Sequence, residues 1–481
     1  MANGINAGYL SLNEEIVLDR LPIKGTLPGW LAGSLLRNGP AKFELGPDTF
    51  RHWFDGFAML HRFTLKDGQV SYANKFLQSE QYKISMEQGR IVFGQFATDP
   101  CKAIFKGTMT ETDSVNANVS INKVAGDFVA MTETPLPIAF NPHTLETLGV
   151  VHYEDALQGH HGSAHPHYDF QRHMSVSYMT EFNMPSIFHV YAIPDHEHRR
   201  QEIGRYALME PSYLHSFGLT EQYIVIVEFP YRVNPLNLLN SHKPFIENYE
   251  WRPQEPATFV IMRKSNGEVV GRYETEAFFA FHHVNAFEQA GEVVVDISAY
   301  DSPAVIQSLY LDQLRDRVEP ATQSSARITG GELRRYHVPL GSAPVRYELL
   351  SHEAVELPTI NYRRYNAGDY AVVYGVSTPE QRVAAFSSQL VRVDLHGALG
   401  SNTKIWGEEA CYPGEPIFAE APDARFEDDG VILSVVLDAR VGRSFLLVLN
   451  AHTFEEIARA EVPHHIPLGF HGEFFPSIAI L

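Results

Sequence analysis

The stretch FFAFHHVNAFEQAGEVVVDISAY, residues 278–300, reads as two β-strands around a tight turn, with two adjacent histidines inside the first strand. EVVVDISAY is dense in β-branched residues, and Gly291-Glu292 marks the turn before it. The same grammar recurs outward in both directions, in FVAMTET (128–134), YIVIVEFP (223–230), YAVVYGV (370–376), GVILSVVLD (430–438) and SFLLVLN (444–450). Hairpin signals stand between such runs at Asp67-Gly68, Gly126-Asp127, Asn266-Gly267, Gly368-Asp369 and Asp429-Gly430. Helical periodicity is scarce: SPAVIQSLYLDQLRDRV (302–318) predicts a helix, and DPCKAIFKG (99–107) one or two turns. No change of composition marks a linker, so residues 1–481 are expected to form one all-β domain. A propeller closes this many antiparallel strands without leaving long open edges.

The chain holds 38 Lys plus Arg against 58 Asp plus Glu, a formal net charge of −20. That balance, with no basic stripe, argues against nucleic-acid partners. Two cysteines, Cys101 and Cys411, provide neither a disulfide framework nor a cysteine zinc site and fit a reducing compartment. The N-terminal MANGINAGYLSLNEEIVLDR lacks the basic and apolar regions of a secretory signal, and no run approaches the length of a spanning helix. A cytoplasmic protein is the expectation.

Phosphate-binding glycine loops, HExxH, the GxSxG elbow and the dinucleotide glycine fingerprint are all absent. What remains is histidine, 23 in 481 residues. Four settings are apolar or tightly turned: SAHPH (His165), SYLHSFG (His215), FFAFHHVNAF (His282 and His283) and IPLGFHGEFF (His471). Taken singly, each is an ordinary core or turn histidine. Ligands this far apart in sequence suit a propeller, which brings the innermost strands of successive blades to one axis. His160-His161 and the DHEHRR run (195–200) lie in polar turn sequence and are expected to be solvated.

RNGP (37–40), HWFDG (52–56), TET (132–134), AHP (164–166), FHHVNAFE (281–288), GEPIF (414–418), EDDG (427–430) and GFHG (469–472) together resemble the motif series of the carotenoid cleavage oxygenases, in family order over nearly the whole chain. The resemblance implies a seven-bladed β-propeller with a loop-and-helix dome over the metal face, and an Fe(II) ion on the axis. By motif, the iron ligands resemble His165, His215, His282 and His471, with His283 as the competing choice for the third. Strand alternation sends 282 and 283 to opposite faces, so only one reaches the axis. The carboxylates that orient the ligating rings resemble Glu133, Glu415 and Glu461, while His52 and Asp55 of HWFDG are expected to hold a turn.

Phe278, Phe279, Phe281, Tyr300 and Trp53 are candidates to line an apolar substrate tunnel, with Phe281 and Tyr300 preferred because they adjoin motif positions. Ala117 is taken as the small residue beside the open iron position, where relatives carry a larger side chain. The implied reaction is cleavage of a carbon–carbon double bond in a carotenoid or apocarotenoid by O2, giving two carbonyl products. Rivals are stilbene cleavage, a retinoid isomerase on the same fold and a non-catalytic interaction propeller. The expected partners are the polyene and O2, with no protein partner inferred. A substrate that resides in a bilayer implies peripheral membrane docking, for which Ile104 and Phe105 of CKAIFKG and Leu236, Leu238 and Leu239 of NPLNLLN (234–240) are the candidates.

Overall fold

The computed structural model describes residues 4–98, 116–315, 330–378 and 387–478. Seven antiparallel sheets of four to six strands form the blades of a propeller. Blade 1 contains Gly33–Lys42, Phe57–Lys66 and Gln69–Phe76, and blade 2 spans Ser120–Val124 to Thr147–Val150. Blade 3 runs from His161–Gly162 to Gln201–Leu208, blade 4 from Gly218–Leu219 to Val269–Thr275 and blade 5 from Phe279–Gln289 to Arg346–Leu349. Blade 6 covers Glu356–Thr359 to Thr403–Trp406, and blade 7 Cys411–Pro413 to Glu456–Glu461. Two segments from opposite ends of the sequence complete the ring: Gly472–Phe475 pairs with Gly33–Lys42 in blade 1, and Ile23–Gly25 adds an outer strand to blade 7. Gly472 permits the first closure, because a Cβ there would lie 2.3 Å from the Leu36 carbonyl oxygen.

The stretch 278–300 folds as the hairpin Phe279–Gln289 and Glu292–Tyr300, but its turn falls on Ala290-Gly291, both with positive φ, one residue earlier than the sequence suggested. Its pairing slips between Ala280 and His283 and again between His283 and Asn285. A bulge of this kind re-aims one side chain. The result is that His282 turns to the axis while His283 turns away and bonds to Ser216 Oγ at 2.9 Å.

The helix expected over 302–318 is broken into Ala304–Ser308 and Leu311–Arg315 within the described residues. The cause is a competing backbone pairing. Trp53 N–H donates to Leu309 O at 3.1 Å and Leu311 N–H donates to Arg51 O at 2.8 Å, so the break serves the HWFDG segment instead of a helix. His52 caps the short turn Trp53–Asp55, its ring also bonded to Ile306 O, and Asp55 accepts from Ala97 N–H at 3.0 Å, which ties this turn to the dome. The segment 99–107 lies outside the described residues. Among the described residues, no helix is long and apolar enough to cross a membrane.

Candidate metal centre

Four blades deliver one histidine each to the axis, from an inner strand or the residues beside it. His165 lies between His161–Gly162 and His167–Asp169, His215 precedes Gly218–Leu219, His282 occupies the bulge of Phe279–Gln289, and His471 leads into Gly472–Phe475. One ligand atom of each lies within 4.8 Å of the others. His165 Nε2 stands 2.9 Å from His215 Nε2, and His282 Nε2 stands 3.2 Å from His471 Nε2.

Three carboxylates fix the rings from behind. His215 Nδ1 meets Glu133 Oε1 at 2.6 Å, His282 Nδ1 meets Glu356 Oε2 at 2.6 Å, and His471 Nδ1 meets Glu415 Oε1 at 2.7 Å. Each carboxylate has further donors. Tyr213 O–H donates to Glu133 at 2.8 Å, Tyr300 O–H to Glu356 at 2.7 Å, and the Arg37 guanidinium and Gly472 N–H both donate to Glu415. Among the described residues no carboxylate bonds to His165, whose backbone N–H donates to Ser163 Oγ at 3.0 Å.

Burial alone would make these carboxyls weaker acids, but the histidine contacts outweigh it. Glu133 is held down at about 2 by the imidazoles of His161 and His215 beside it, and Glu356 and Glu415 also lie below the usual carboxylate range. Burial, reinforced by neighbouring imidazoles, pushes His165 well below the ordinary histidine value, and burial takes His471 down to about 4. His165 and His471 are therefore neutral and the three carboxylates ionised. A neutral imidazole whose Nδ1–H is given to a carboxylate presents a lone pair at Nε2. In the tautomer that gives each Nδ1–H to its carboxylate, the Nε2 atoms of His282 and His471, 3.2 Å apart, turn their lone pairs to one point on the axis, an arrangement that a cation between them stabilises. Two nitrogens bound at right angles to one first-row ion, each at about 2.1 Å, would be about 3 Å apart. The donor set fits a divalent transition metal, and four imidazoles suit Fe(II) among others.

Above the histidines lies a cavity lined by Trp53, Phe54, Phe96, Phe281 and Phe470, with Val119, Leu309 and Leu357 among its aliphatic contacts. Ring centroids of Phe54 lie 5.1–5.9 Å from those of Phe96, Phe281 and Phe470. Trp53 Nε1–H is satisfied by Leu468 O at 2.8 Å, so the indole offers the cavity an apolar surface. Among the described residues, the carboxylates in the wall are Glu133 and Glu356, both bonded to a histidine and a tyrosine.

Several expectations need correction. Glu461 does not orient a histidine: it sits on an outer strand, its side chain 44% exposed, and pairs with Lys24. Glu356 holds that position instead. Nothing beside Glu356 in sequence names a metal site; the signal that could have found it is a carboxylate set between two apolar residues, Val355 and Leu357, both buried. Ala117 packs against Leu36 and Ala58 between blades 1 and 2, and Val119, two residues on, reaches the cavity. Tyr300 anchors Glu356 through its hydroxyl, while Phe278 stacks on Tyr336 within its blade. Phe281 does line the cavity. His161 is buried, its Nε2 3.5 Å from Glu133 Oε2. Arg37 of RNGP, assigned no role by sequence, binds both Glu415 and the Phe470 carbonyl.

Residues 9–476 match the model of the retinal pigment epithelial membrane protein (RPE65) family. The mitochondrial carotenoid-cleaving dioxygenase of Homo sapiens is 34% identical over 519 residues, covering 94% of this chain and 87% of that protein. The beta,beta-carotene 15,15'-dioxygenase of Gallus gallus is 33% identical over 522 residues, covering 95% of each. Among solved structures, an ACO/RPE65 chimera superposes with a TM-score of 0.84 at 26% identity, and cobalt-substituted Synechocystis ACO with 0.82 at 25%, each over 98% of both chains. With its ring of seven blades, its axial histidines and relatives matched over nearly their full length, the chain belongs to the RPE65/carotenoid oxygenase family.

Proposed function

We propose that this protein is an Fe(II)-dependent dioxygenase that cleaves a carbon–carbon double bond of a carotenoid or apocarotenoid with O2, giving two carbonyl products. One observation carries the reading: four imidazole nitrogens converge at the floor of a cavity walled by five aromatic rings. His165, His215, His282 and His471 would hold the ion. When bound, iron supplies the activation of O2. The chain supplies the rest. Flat aromatic walls accept a rigid conjugated chain by apolar contact and shape, and they exclude water from the reacting double bond. Glu133, Glu356 and Glu415 keep their imidazoles in the tautomer that leaves Nε2 free for the metal. Neither carboxylate in the wall is free to act as a general acid or base, which favours a metal-centred oxidation over hydrolysis. A polyene that resides in a bilayer also supports an enzyme that touches a membrane peripherally.

Incubation of iron-loaded protein with carotenoids, apocarotenals and stilbenes, followed by mass spectrometry, tests the assignment. Two carbonyl fragments from a carotenoid or apocarotenoid, carrying 18O from 18O2, are the expected products. Turnover of stilbenes alone, or isomerisation without cleavage, would overturn it.

A further inference from the structure

Glu133 differs from the other two carboxylates in how its outer oxygen is held. Glu356 receives His282 and Leu357 N–H on one oxygen and Tyr300 on the other. Glu415 receives His471 on one and Arg37 with Gly472 N–H on the other. At Glu133 both short hydrogen bonds, from His215 Nδ1 and Tyr213 O–H, fall on Oε1. Oε2 has one ion-pair partner, His161 Nε2 at 3.5 Å, and that nitrogen is buried with no hydrogen-bond partner of its own.

An unmatched buried donor beside an unmatched carboxylate oxygen costs free energy on both sides, and a shift of about half an ångström would close the bond. The backbone already fixes the approach. His161 pairs with Thr180, and Gly162 N–H donates to the Glu133 carbonyl at 3.1 Å. On its other face the His161 ring stacks on Phe245, with centroids 5.4 Å apart and planes 22° apart. Phe245 opens the short turn Phe245–Asn248, whose Ile246 N–H donates to the carbonyl of Phe96, a residue of the cavity wall. His161 is thus wedged between the carboxylate that sets His215 and the segment that roofs the cavity.

We propose that His161 is a positioning residue of the metal centre: it completes the clamp on Glu133, as Tyr300 does for Glu356 and Arg37 for Glu415, and so holds His215 in its ligating orientation. This rests on the metal-binding reading of the four histidines.

The test is chelator-driven release of Fe(II), loaded anaerobically, and of Co(II) as a coloured probe, from wild type, His161→Phe, His161→Gln and Glu133→Gln. Phenylalanine keeps the stack on Phe245 and removes the donor, whereas glutamine restores a donor. His161→Phe should release metal roughly 10-fold faster and shift the Co(II) absorption, with His161→Gln returning most of the difference. The metal-free melting temperature should change by less than about 3 °C, so that a folding defect is not the cause. If His161→Phe does not fold, His161→Asn, polar but too short to reach Glu133, takes its place with the same expectation. Wild-type release from the donor-lacking variant, alongside faster release from Glu133→Gln, would overturn the role of His161. Wild-type release from Glu133→Gln as well would instead overturn the metal-centre reading, and the proposal with it.

Discussion

Glu356→Gln removes the charge and one of the two acceptor oxygens that serve His282, Leu357 and Tyr300 while keeping the side chain's shape, and the loss should appear as a 10-fold to 100-fold drop in metal affinity or turnover. Glu461→Gln breaks only an exposed pair with Lys24, worth about 0–1 kcal/mol, and should leave both unchanged. Metal titrations of the two variants check this, and equal effects would contradict the assignment. The contrast also shows what was legible residue by residue. The four histidines could be read because each sits in a short motif whose context travels with it. The choice of His282 over His283 came from the motif, strand alternation adding only that one of the two could reach the axis, and the bulge then settles the register. Glu461 was misplaced because the chain pairs His282 with a carboxylate 74 residues away, from the next blade, a distance no local pattern encodes. Tyr300 and His161 were misjudged for a related reason: each is defined by the carboxylate it faces, not by its neighbours in sequence.

At the scale of an element, NPLNLLN shows how three leucines in one run acquire different duties. The segment forms the helix Pro235–Asn240, capped by Asn234, with Leu236 and Leu239 on one exposed face at 47% and 50% and Leu238 buried at 4%. Only the exposed pair is available to a bilayer. Leu236→Ser with Leu239→Ser should reduce cosedimentation with liposomes and turnover of membrane-embedded carotenoid, yet spare a detergent-dispersed apocarotenoid. With a net charge of −20 such binding rests on apolar area and should persist in high salt. Equal loss on both substrates would count against docking. Leu238→Ala, by contrast, should cost roughly 2–5 kcal/mol in a denaturation experiment, as buried leucines do. Strands were legible because period-two patterns and glycine turns are local. The broken helix at Leu309-Tyr310 was not, since its cause is a backbone pairing with residues 51–53, which the sequence places some 250 residues away.

For the whole molecule, buried neutral histidines set the response to acid. Burial lowers His52, His61 and His283 to about 3 and His167 to about 4, while an unfolded histidine takes its proton near 6.5. Between those values the unfolded chain binds more protons than the folded one, so stability is fully present above about pH 6.5 and is lost as pH falls toward 4. Thermal melts of the metal-free protein from pH 7.5 to 4.5 should show a steady fall, and a flat profile would contradict the buried, neutral assignment. Closure of the ring by Gly472–Phe475 gives the same molecule its metal geometry, because His471 immediately precedes that strand and reaches the axis only when blade 1 is complete. The account stands on the convergence of His165, His215, His282 and His471 around one ion. Metal analysis of anaerobically iron-loaded protein after gel filtration tests it directly: about one iron per chain in wild type and His283→Ala, and a large loss in His282→Ala, is the predicted result. Iron retained equally by all three, or by none, would contradict it.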